Sequence, residues 1–206
     1  MGYGFVDILA TPAVKAVQEE NGSRAMYERA GVPRDFDRFT GQEAAFIAAR
    51  DSFYMASVAE NGWPYVQHRG GPAGFLKLLD DRTLGFADFR GNRQYLSAGN
   101  VSAAGRVALF LMDYRNRRRL KILARAELKE LMDDPALTAR LVDPIYKGRP
   151  ERIWLLRLAA FDWNCPQHIT PRFTETEVRD ATAPLLARME ALEAENAGVR
   201  AQSAGA

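Results

Sequence analysis

The chain has 206 residues, of which 47% are hydrophobic and 26% charged, and this composition is ordinary for a globular protein with one sizeable core. Its net charge of +2 is too small to indicate a nucleic-acid partner. The single Cys165 cannot form an internal disulfide, and neither a signal peptide nor a membrane span is evident, so we expect a soluble cytoplasmic protein.

The N-terminal part of the chain has helical composition. Residues 12–30 are interrupted at Asn21-Gly22 and are therefore predicted to form two short helices. Thr40 and Glu43 have the spacing of a capping box, in which each side chain satisfies the other residue's backbone N–H. This pattern predicts a helix over 41–50, and hence N-terminal helices over about 12–50.

The middle of the chain alternates strand-like segments with turns. Asn61-Gly62 predicts a hairpin because this pair tolerates positive φ, and residues 120–128 alternate apolar and charged side chains with the period of a strand. The predicted strands cover about 52–58, 64–69, 74–79, 83–88, 107–114, 118–128 and 152–163. Short helices are predicted after Gly91 and Asp134. Six or so antiparallel strands flanked by helices favour a small β-barrel.

The C-terminal part returns to helical periodicity. Thr174 and Glu177 form a second possible capping box, and Leu185, Met189 and Leu192 lie along one stripe of the helix predicted over about 175–197. Residues 198–206 are predicted to be a disordered tail. We therefore expect one domain over 1–197.

A glycine-rich turn, QHRGGPAGFLK, lies between two cations. Arg69 and Lys77 are predicted to lie on consecutive strands joined by this turn, so both could point into one concavity that holds an anion. Three glycines, Gly70, Gly71 and Gly74, make the backbone between these cations unusually flexible. The alternative is a wide turn with solvated cations, since glycine-rich turns near Arg and Lys are common.

A second candidate anion site follows at GNRQYLS. Asn92 and Arg93 are predicted at a helix start, where unpaired N–H groups and a partial positive charge favour phosphate. Asn92 could cap the helix and donate to the phosphate, Arg93 could clamp it, and Ser97 lies one turn further on. A capped helix with ordinary surface cations explains the same residues, so the sequence leaves both interpretations open.

The segment WNCPQHI gives a third candidate. Cys165 and His168 have CxxH spacing, but no second ligand pair accompanies them, and no metal site is predicted. Either Pro166 fixes a chain reversal with Trp163 packed inward, or Trp163 and Gln167 line a ligand site. No pair of carboxylates is evident for acid–base catalysis, and Asp88 is interpreted as a strand-face residue.

Taken together, residues 40–172 resemble the pyridoxamine 5′-phosphate oxidase-like, FMN-binding split β-barrel family. The resemblance rests on the order and spacing of RGGPAGF, GNRQYLS and WNCPQHI, and is to a branch described as predicted flavin-nucleotide-binding proteins. It implies a mainly β fold, a six-stranded antiparallel Greek-key split barrel with flanking helices. It also implies a homodimer with two FMN sites at the subunit interface.

The resemblance also implies a set of cofactor contacts. Lys77 and Arg69 match the phosphate strand and a neighbouring flavin contact, and Asn92-Arg93 fall on a Ser-Arg-Lys phosphate motif. Arg119 matches a glutamine near the flavin, and Trp163 and Gln167 would approach the ring from the other subunit. With the resemblance, the glycines of RGGPAGF are interpreted as letting the backbone approach the flat flavin ring. The predicted FMN-binding residues are Arg69, Gly70, Gly71, Lys77, Asn92, Arg93, Ser97, Arg119, Trp163 and Gln167.

The implied activity is that of a flavin-dependent oxidoreductase of unknown substrate, with hydride transfer at flavin N5. The alternative is a non-catalytic flavin- or haem-binding module for storage or sensing. Vitamin B6 oxidation is not expected, because WNCPQHITPR lacks the arginine and histidine signature that holds pyridoxal phosphate in the true oxidase, and Gln94 replaces a lysine of the phosphate motif. No catalytic residue is predicted.

Overall fold

The computed structural model describes residues 4–28, 38–163 and 166–204. Contacts divide the chain into two compact units, Met1–Asp113 with Arg118–Gln167 and Tyr114–Arg117 with His168–Ala206. All strands belong to the first unit, and the longest helix belongs to the second.

The elements follow the predicted order with one additional helix at the N-terminus. Within the described ranges the helices are α1 (Gly4–Leu9), α2 (Pro12–Glu20), α3 (Arg24–Glu28), α4 (Gly41–Ala48), α5 (Leu96–Ala104), α6 (Pro135–Leu141) and α7 (Glu175–Ala204). The strands are β1 (Ser52–Val58), β2 (Pro64–Gly70), β3 (Lys77–Asp80), β4 (Thr83–Phe89), β5 (Arg106–Asp113), β6 (Arg118–Lys129) and β7 (Pro150–Trp163). None of the described helices has the length and apolar character needed to cross a membrane.

The strands form one antiparallel sheet of seven, in the order β2-β1-β5-β6-β7-β4-β3. The resemblance implied six strands, whereas the sheet has seven, and each of them overlaps one of the seven segments predicted from the sequence. The shortest, β3, was predicted over 74–79 and is an edge strand that pairs only with β4 within the described residues. In the same residues the sheet is open, with β2 and β3 at its two edges. The mainly antiparallel β fold is confirmed, while the six-stranded split barrel stays a prediction.

The core lies on one face of the sheet. Met55 pairs with Leu109, which in turn pairs with Ile122, so alternate residues of three neighbouring strands meet in one layer. β5 was predicted to be buried on both faces, but only its alternate residues are buried. Burying each large apolar side chain stabilises the fold by about 1.5–3 kcal/mol. A shift of one residue in the strand pairing would turn these side chains to the other face, so their burial fixes the register.

The start of α4 is tied to the end of β7. Thr40 and Glu43 form the predicted capping box, with the Thr40 N–H donating to Glu43 Oε2 at 2.9 Å. Trp163 Nε1 donates to the other carboxylate oxygen of Glu43 at 2.6 Å. Burial by itself raises the pKa of Glu43, but the hydrogen bonds from Thr40 and Trp163 outweigh it, so the pKa lies below its ordinary value.

The lowered pKa of Glu43 predicts a pH-dependent stability. Because the folded-state pKa is below the ordinary value of 4.5, the ionised carboxylate stabilises the fold above that pH, and this contribution is lost as the pH falls through the folded-state pKa. Glu43→Gln should lower the free energy of unfolding at neutral pH by about 1–3 kcal/mol and flatten its dependence on acid pH. Urea denaturation over a pH series measures both, with the exposed Glu60→Gln as control. An unaltered acid profile in Glu43→Gln would contradict the assignment.

Helix α7 begins as predicted and ends later than predicted. The Thr174 N–H donates to Glu177 Oε2 at 2.8 Å, and the Glu177 N–H donates to Thr174 Oγ1 at 3.2 Å, so the second capping box is confirmed. The helix continues to Ala204, in place of the disordered tail predicted from residue 198. The last residues contain Ala, Gln and Arg and no proline, so local propensity supports the extra turns.

Candidate functional site

A cavity of about 270 Å³ opens between β2, β4 and the segment that precedes α5. Aromatic side chains form much of its wall, and charged and polar side chains stand among them. The lining residues used below are Tyr65, Arg69, Gly70, Phe86, Asp88, Gly91, Asn92, Arg93, Tyr95, Ser97 and Glu151. Polar and charged side chains outnumber the apolar ones along this wall, and such convergent polar groups beside flat rings fit a polar small molecule.

A buried ion-pair network forms one side of the cavity. Arg69 Nη1 donates to Asp88 Oδ1 at 2.7 Å, and Arg152 Nε lies 3.6 Å from the other carboxylate oxygen. The register of β4 and β7 places Asp88 directly opposite Arg152. The Arg69 guanidinium also lies 5.3 Å from the ring centroid of the buried Trp154. Burial lowers the pKa of Arg69, and the charge of Asp88 opposes that shift.

The first turn of α5 forms the other side. Ser97 is 3% exposed, and its Oγ has no hydrogen-bond partner among the described residues. The first N–H groups of a helix have no partner within the helix, and Tyr95 at the N-cap offers no side-chain cap. A buried hydroxyl and free N–H groups therefore meet at one end of this cavity.

The predicted helix start at Asn92 and Arg93 is wrong. α5 begins at Leu96, and Asn92 stands in the preceding loop, where its side-chain oxygen accepts from the Gln94 N–H at 3.2 Å. Arg93 and Tyr95 have positive φ values of 62° and 54°. Non-glycine residues in this region cost about 1–3 kcal/mol each, and such strain is concentrated at ligand sites and switches.

Tyr95 connects this loop to β7. Its hydroxyl donates to Glu151 Oε2 at 3.2 Å, and the Arg152 guanidinium lies 4.7 Å from its ring centroid. Arg93 is exposed, and its hydrogen bond with Tyr95 raises its pKa. The loop thus presents an exposed cation next to an aromatic ring.

The cavity brings together half of the predicted site residues. These are Arg69, Gly70, Asn92, Arg93 and Ser97. The other five do not line it: Gly71, Lys77, Arg119, Trp163 and Gln167.

The predicted site residues that do not line the cavity contact other parts of the protein. Lys77 Nζ donates to the carbonyl oxygen of Arg140 at 2.8 Å, near the end of α6. The Arg119 guanidinium lies 5.6 Å from the ring centroid of Phe110, and Trp163 packs edge-on against Phe46 at 4.8 Å. The inward packing of Trp163 is therefore confirmed. Gln167 is exposed, and Cys165 lies outside the described residues.

Packing accounts for two of the glycines that were predicted to admit a flat ligand. A Cβ on Gly71 would lie 2.7 Å from Cγ of Phe75, so the aromatic ring occupies that space. Gly74 has a φ of +76°, and a Cβ there would lie 3.0 Å from the carbonyl oxygen of Ala48. These glycines let the chain turn tightly beneath the core.

Replacing Gly74 by alanine should therefore destabilise the protein. We expect a loss of about 1–3 kcal/mol in the free energy of unfolding, because alanine is strained at positive φ and would crowd the Ala48 carbonyl. Gly91→Ala is the matched control, since nothing lies within 4 Å of its Cβ and its φ is not positive. Thermal unfolding compares the two, and equal melting temperatures would contradict this interpretation of the turn.

Sequence reasoning missed the acidic and aromatic lining residues. Asp88 was dismissed as a strand-face residue, although it is buried beside Arg69 and Arg152. The alternation of Phe86 and Asp88 with small and apolar residues was the available signal, but only the strand register shows what Asp88 faces. Tyr95 and Glu151 are 56 residues apart in the chain and had no local signal.

A family model described as pyridoxamine 5′-phosphate oxidase matches residues 39–154, more than half of the chain. The chain belongs to this family. Every residue that lines the cavity falls within the matched region. Members of the family commonly bind flavins.

The chain is also similar to solved structures, at low sequence identity. The HupZ protein of Group A Streptococcus is 13% identical with a TM-score of 0.50, and the match covers 66% of this chain and all of that one. An FMN-binding protein from Syntrophomonas wolfei is 15% identical with a TM-score of 0.43, covering 74% of this chain and 95% of that one. No curated protein matches this chain.

Proposed function

We propose that this protein binds FMN and acts as a flavin-dependent oxidoreductase, with the phosphate end of the cofactor at the N-terminus of α5. The observation that carries the proposal is Ser97, whose buried Oγ lacks a partner among the described residues and lines the cavity beside Arg69 and Arg93. A flavin-binding family supports the choice of ligand.

The chemistry of this end of the cavity fits a phosphate. Free N–H groups at a helix N-terminus bind anions, and a serine hydroxyl and an arginine add directed donors. Two carboxylates also line the cavity, but Asp88 is paired with Arg69 and Arg152, and Glu151 lies 3.5 Å from Arg90 Nε. Arg93 is therefore the lining cation that can turn towards a ligand.

The size of the cavity supports a cofactor site that is shared between two copies of the chain. At about 270 Å³ it lies just below the roughly 300–1,000 Å³ of sites that enclose a whole drug-sized ligand. It would hold the phosphate and ribityl chain, and the flavin ring would extend beyond it. Large apolar side chains are exposed nearby on the β1–β2 hairpin, among them Tyr54, Trp63 and Val66. A second copy covering this hairpin would complete the site in a homodimer.

Bound FMN would supply a two-electron acceptor and donor at N5, the chemistry of a hydride transfer. The residues of the chain hold and orient it. Tyr65 and Tyr95 offer flat surface, while Arg69 is held in place by Asp88 at 2.7 Å. We assign no acid or base, since these groups position the cofactor.

Titration of the purified chain with FMN tests the proposal. We expect saturable binding with a shifted flavin absorbance band, followed by bleaching under anaerobic NADH or NADPH and recovery of the band in air. Binding without reduction by either nucleotide or by a screen of other hydride donors would indicate the storage or sensor module instead. A chain that takes up no FMN would contradict the proposal.

A further inference from the structure

Helix α7 carries an apolar stripe that is open to solvent. Leu185, Met189, Leu192 and Val199 are 66%, 56%, 38% and 56% exposed. They belong to a 30-residue helix whose described side chains are almost all exposed. A helix in a globular protein normally buries such a stripe, and among the described residues nothing packs against this one.

The stripe has the repeat of a coiled coil. Its members are spaced by four, three and seven residues, with Asn196 between the last two, so the average of about 3.5 keeps one seam facing a neighbouring helix. In the usual heptad lettering, the d positions are Val178, Leu185, Leu192 and Val199, and the a positions are Thr182, Met189, Asn196 and Ser203. Leucine at d with one asparagine at a is typical of a parallel, two-stranded pair in which the two asparagines face each other.

The charged residues beside the seam are complementary in the same arrangement. Arg188 and Glu195 occupy g positions, while Glu193 and Arg200 occupy the e positions of the heptads that follow. In a parallel pair each g residue faces the e residue five positions later on the other helix. Arg188 would then face Glu193 of a second copy, and Glu195 would face its Arg200, so both contacts join opposite charges.

Ion pairs within α7 do not explain the positions of these four charged residues. Charged side chains stabilise a single helix when opposite charges stand three or four positions apart. None of Arg188, Glu193, Glu195 and Arg200 has an opposite charge at either spacing. Their arrangement is therefore explained by a neighbouring helix and not by this one.

We propose that α7 pairs with α7 of a second copy of this chain as a parallel two-stranded coiled coil over residues 185–203. The segment starts after Pro184, which interrupts the hydrogen bonding of the helix before it. At ~1.5 Å per residue the pair would be about 28 Å long. The proposal concerns the second unit alone and does not depend on the flavin site.

Disulfide cross-linking of the full chain tests the pairing. In a chain with Cys165 replaced by serine, Val199→Cys places a thiol on the seam near one end of the pair, and Ala197→Cys places one on the outer side. With oxidised glutathione, the seam variant should form a covalent dimer at least about tenfold faster than the outer variant, because pairing raises the effective thiol concentration. Equal rates, or no covalent dimer, would overturn the proposal. An antiparallel pair would separate the two seam cysteines and give no faster cross-linking at Val199→Cys, which would also overturn the proposal.

Charge reversal on the same background checks the register. Arg188→Glu should slow cross-linking at Val199→Cys severalfold, because it sets two glutamates against each other at both contacts between positions 188 and 193. Adding Glu193→Arg should restore the rate. If the double variant stays as slow as the single one, the parallel register is wrong. Both variants lie on an exposed helix surface, so neither is expected to disturb the sheet.

Discussion

Replacing Ser97 by alanine is expected to weaken FMN binding by about tenfold without destabilising the fold. The Ser97 hydroxyl is buried and has no partner among the described residues of the protein alone, so removing it leaves no other group unsatisfied. In the complex it would donate to a phosphate oxygen, and that hydrogen bond would be lost. Fluorescence titration with FMN measures the affinity, and urea denaturation measures the stability of the same variant.

Substitutions of two cations, Arg93 and Lys77, locate the bound phosphate more precisely. Arg93→Ala should weaken FMN binding by about 10- to 100-fold, since it removes a charge-assisted contact to the phosphate. Lys77→Ala is the matched control, because Lys77 lies outside the cavity and holds the Arg140 carbonyl. Unchanged affinity in Ser97→Ala and Arg93→Ala, together with a large loss in Lys77→Ala, would move the phosphate to the strand that the family resemblance indicated.

Removing the carboxylate of Asp88 is expected to have the largest effect on stability. Asp88 is 8% exposed and lies between Arg69 and Arg152. Asp88→Ala therefore removes the counter-charge of the partly buried Arg69 guanidinium and leaves Arg152 with Glu151, 3.7 Å away, as its ion-pair partner. Breaking a buried pair in this way costs about 3–5 kcal/mol. Because Arg69 lines the cavity, FMN affinity should fall as well. Urea denaturation of Asp88→Ala measures the loss in the free energy of unfolding.

A second ion pair provides the control for Asp88. Asp162 lies 2.6 Å from Lys121, but both side chains are about a quarter to a third exposed. Asp162→Ala should therefore cost only about 0–1 kcal/mol, because solvent screens the pair. If the two aspartate variants lose similar stability, the buried network contributes less than its geometry indicates. A double-mutant cycle of Asp88 with Arg69 would then separate the coupling from the cost of each truncation.

Local signals explain which parts of the fold could be predicted. Both capping boxes, at Thr40 and at Thr174, were predicted because each is complete within four residues. The Asn61-Gly62 hairpin and the alternation along β6 are equally local, and β1, β2 and β6 follow from them. The strand β3 was predicted over 74–79 and covers Lys77–Asp80, because four edge residues carry too little periodicity to fix its bounds.

The site could be predicted only in part, because its geometry depends on contacts between distant residues. Arg69, Asn92, Arg93 and Ser97 were identified from cations, glycines and a helix start, and the structure brings them to one cavity. The start of α5 was misplaced because Tyr95 ends the loop by adopting positive φ, without a capping side chain. Asp88 and Glu151 are brought to the other site residues by the pairing register of β4 with β7. No short sequence motif indicates that register.

The affinity difference between FMN and riboflavin tests the central claim most directly, since the two ligands differ only in the phosphate. We predict that the unaltered protein binds FMN at least about 100-fold more tightly than riboflavin, as expected for two or more charge-assisted hydrogen bonds. We also predict that this ratio falls towards one when Ser97 and Arg93 are both replaced by alanine, because the affinity for riboflavin does not depend on them. Equal affinities for the two ligands in the unaltered protein, or a ratio that the double variant leaves unchanged, would contradict a phosphate site at the N-terminus of α5.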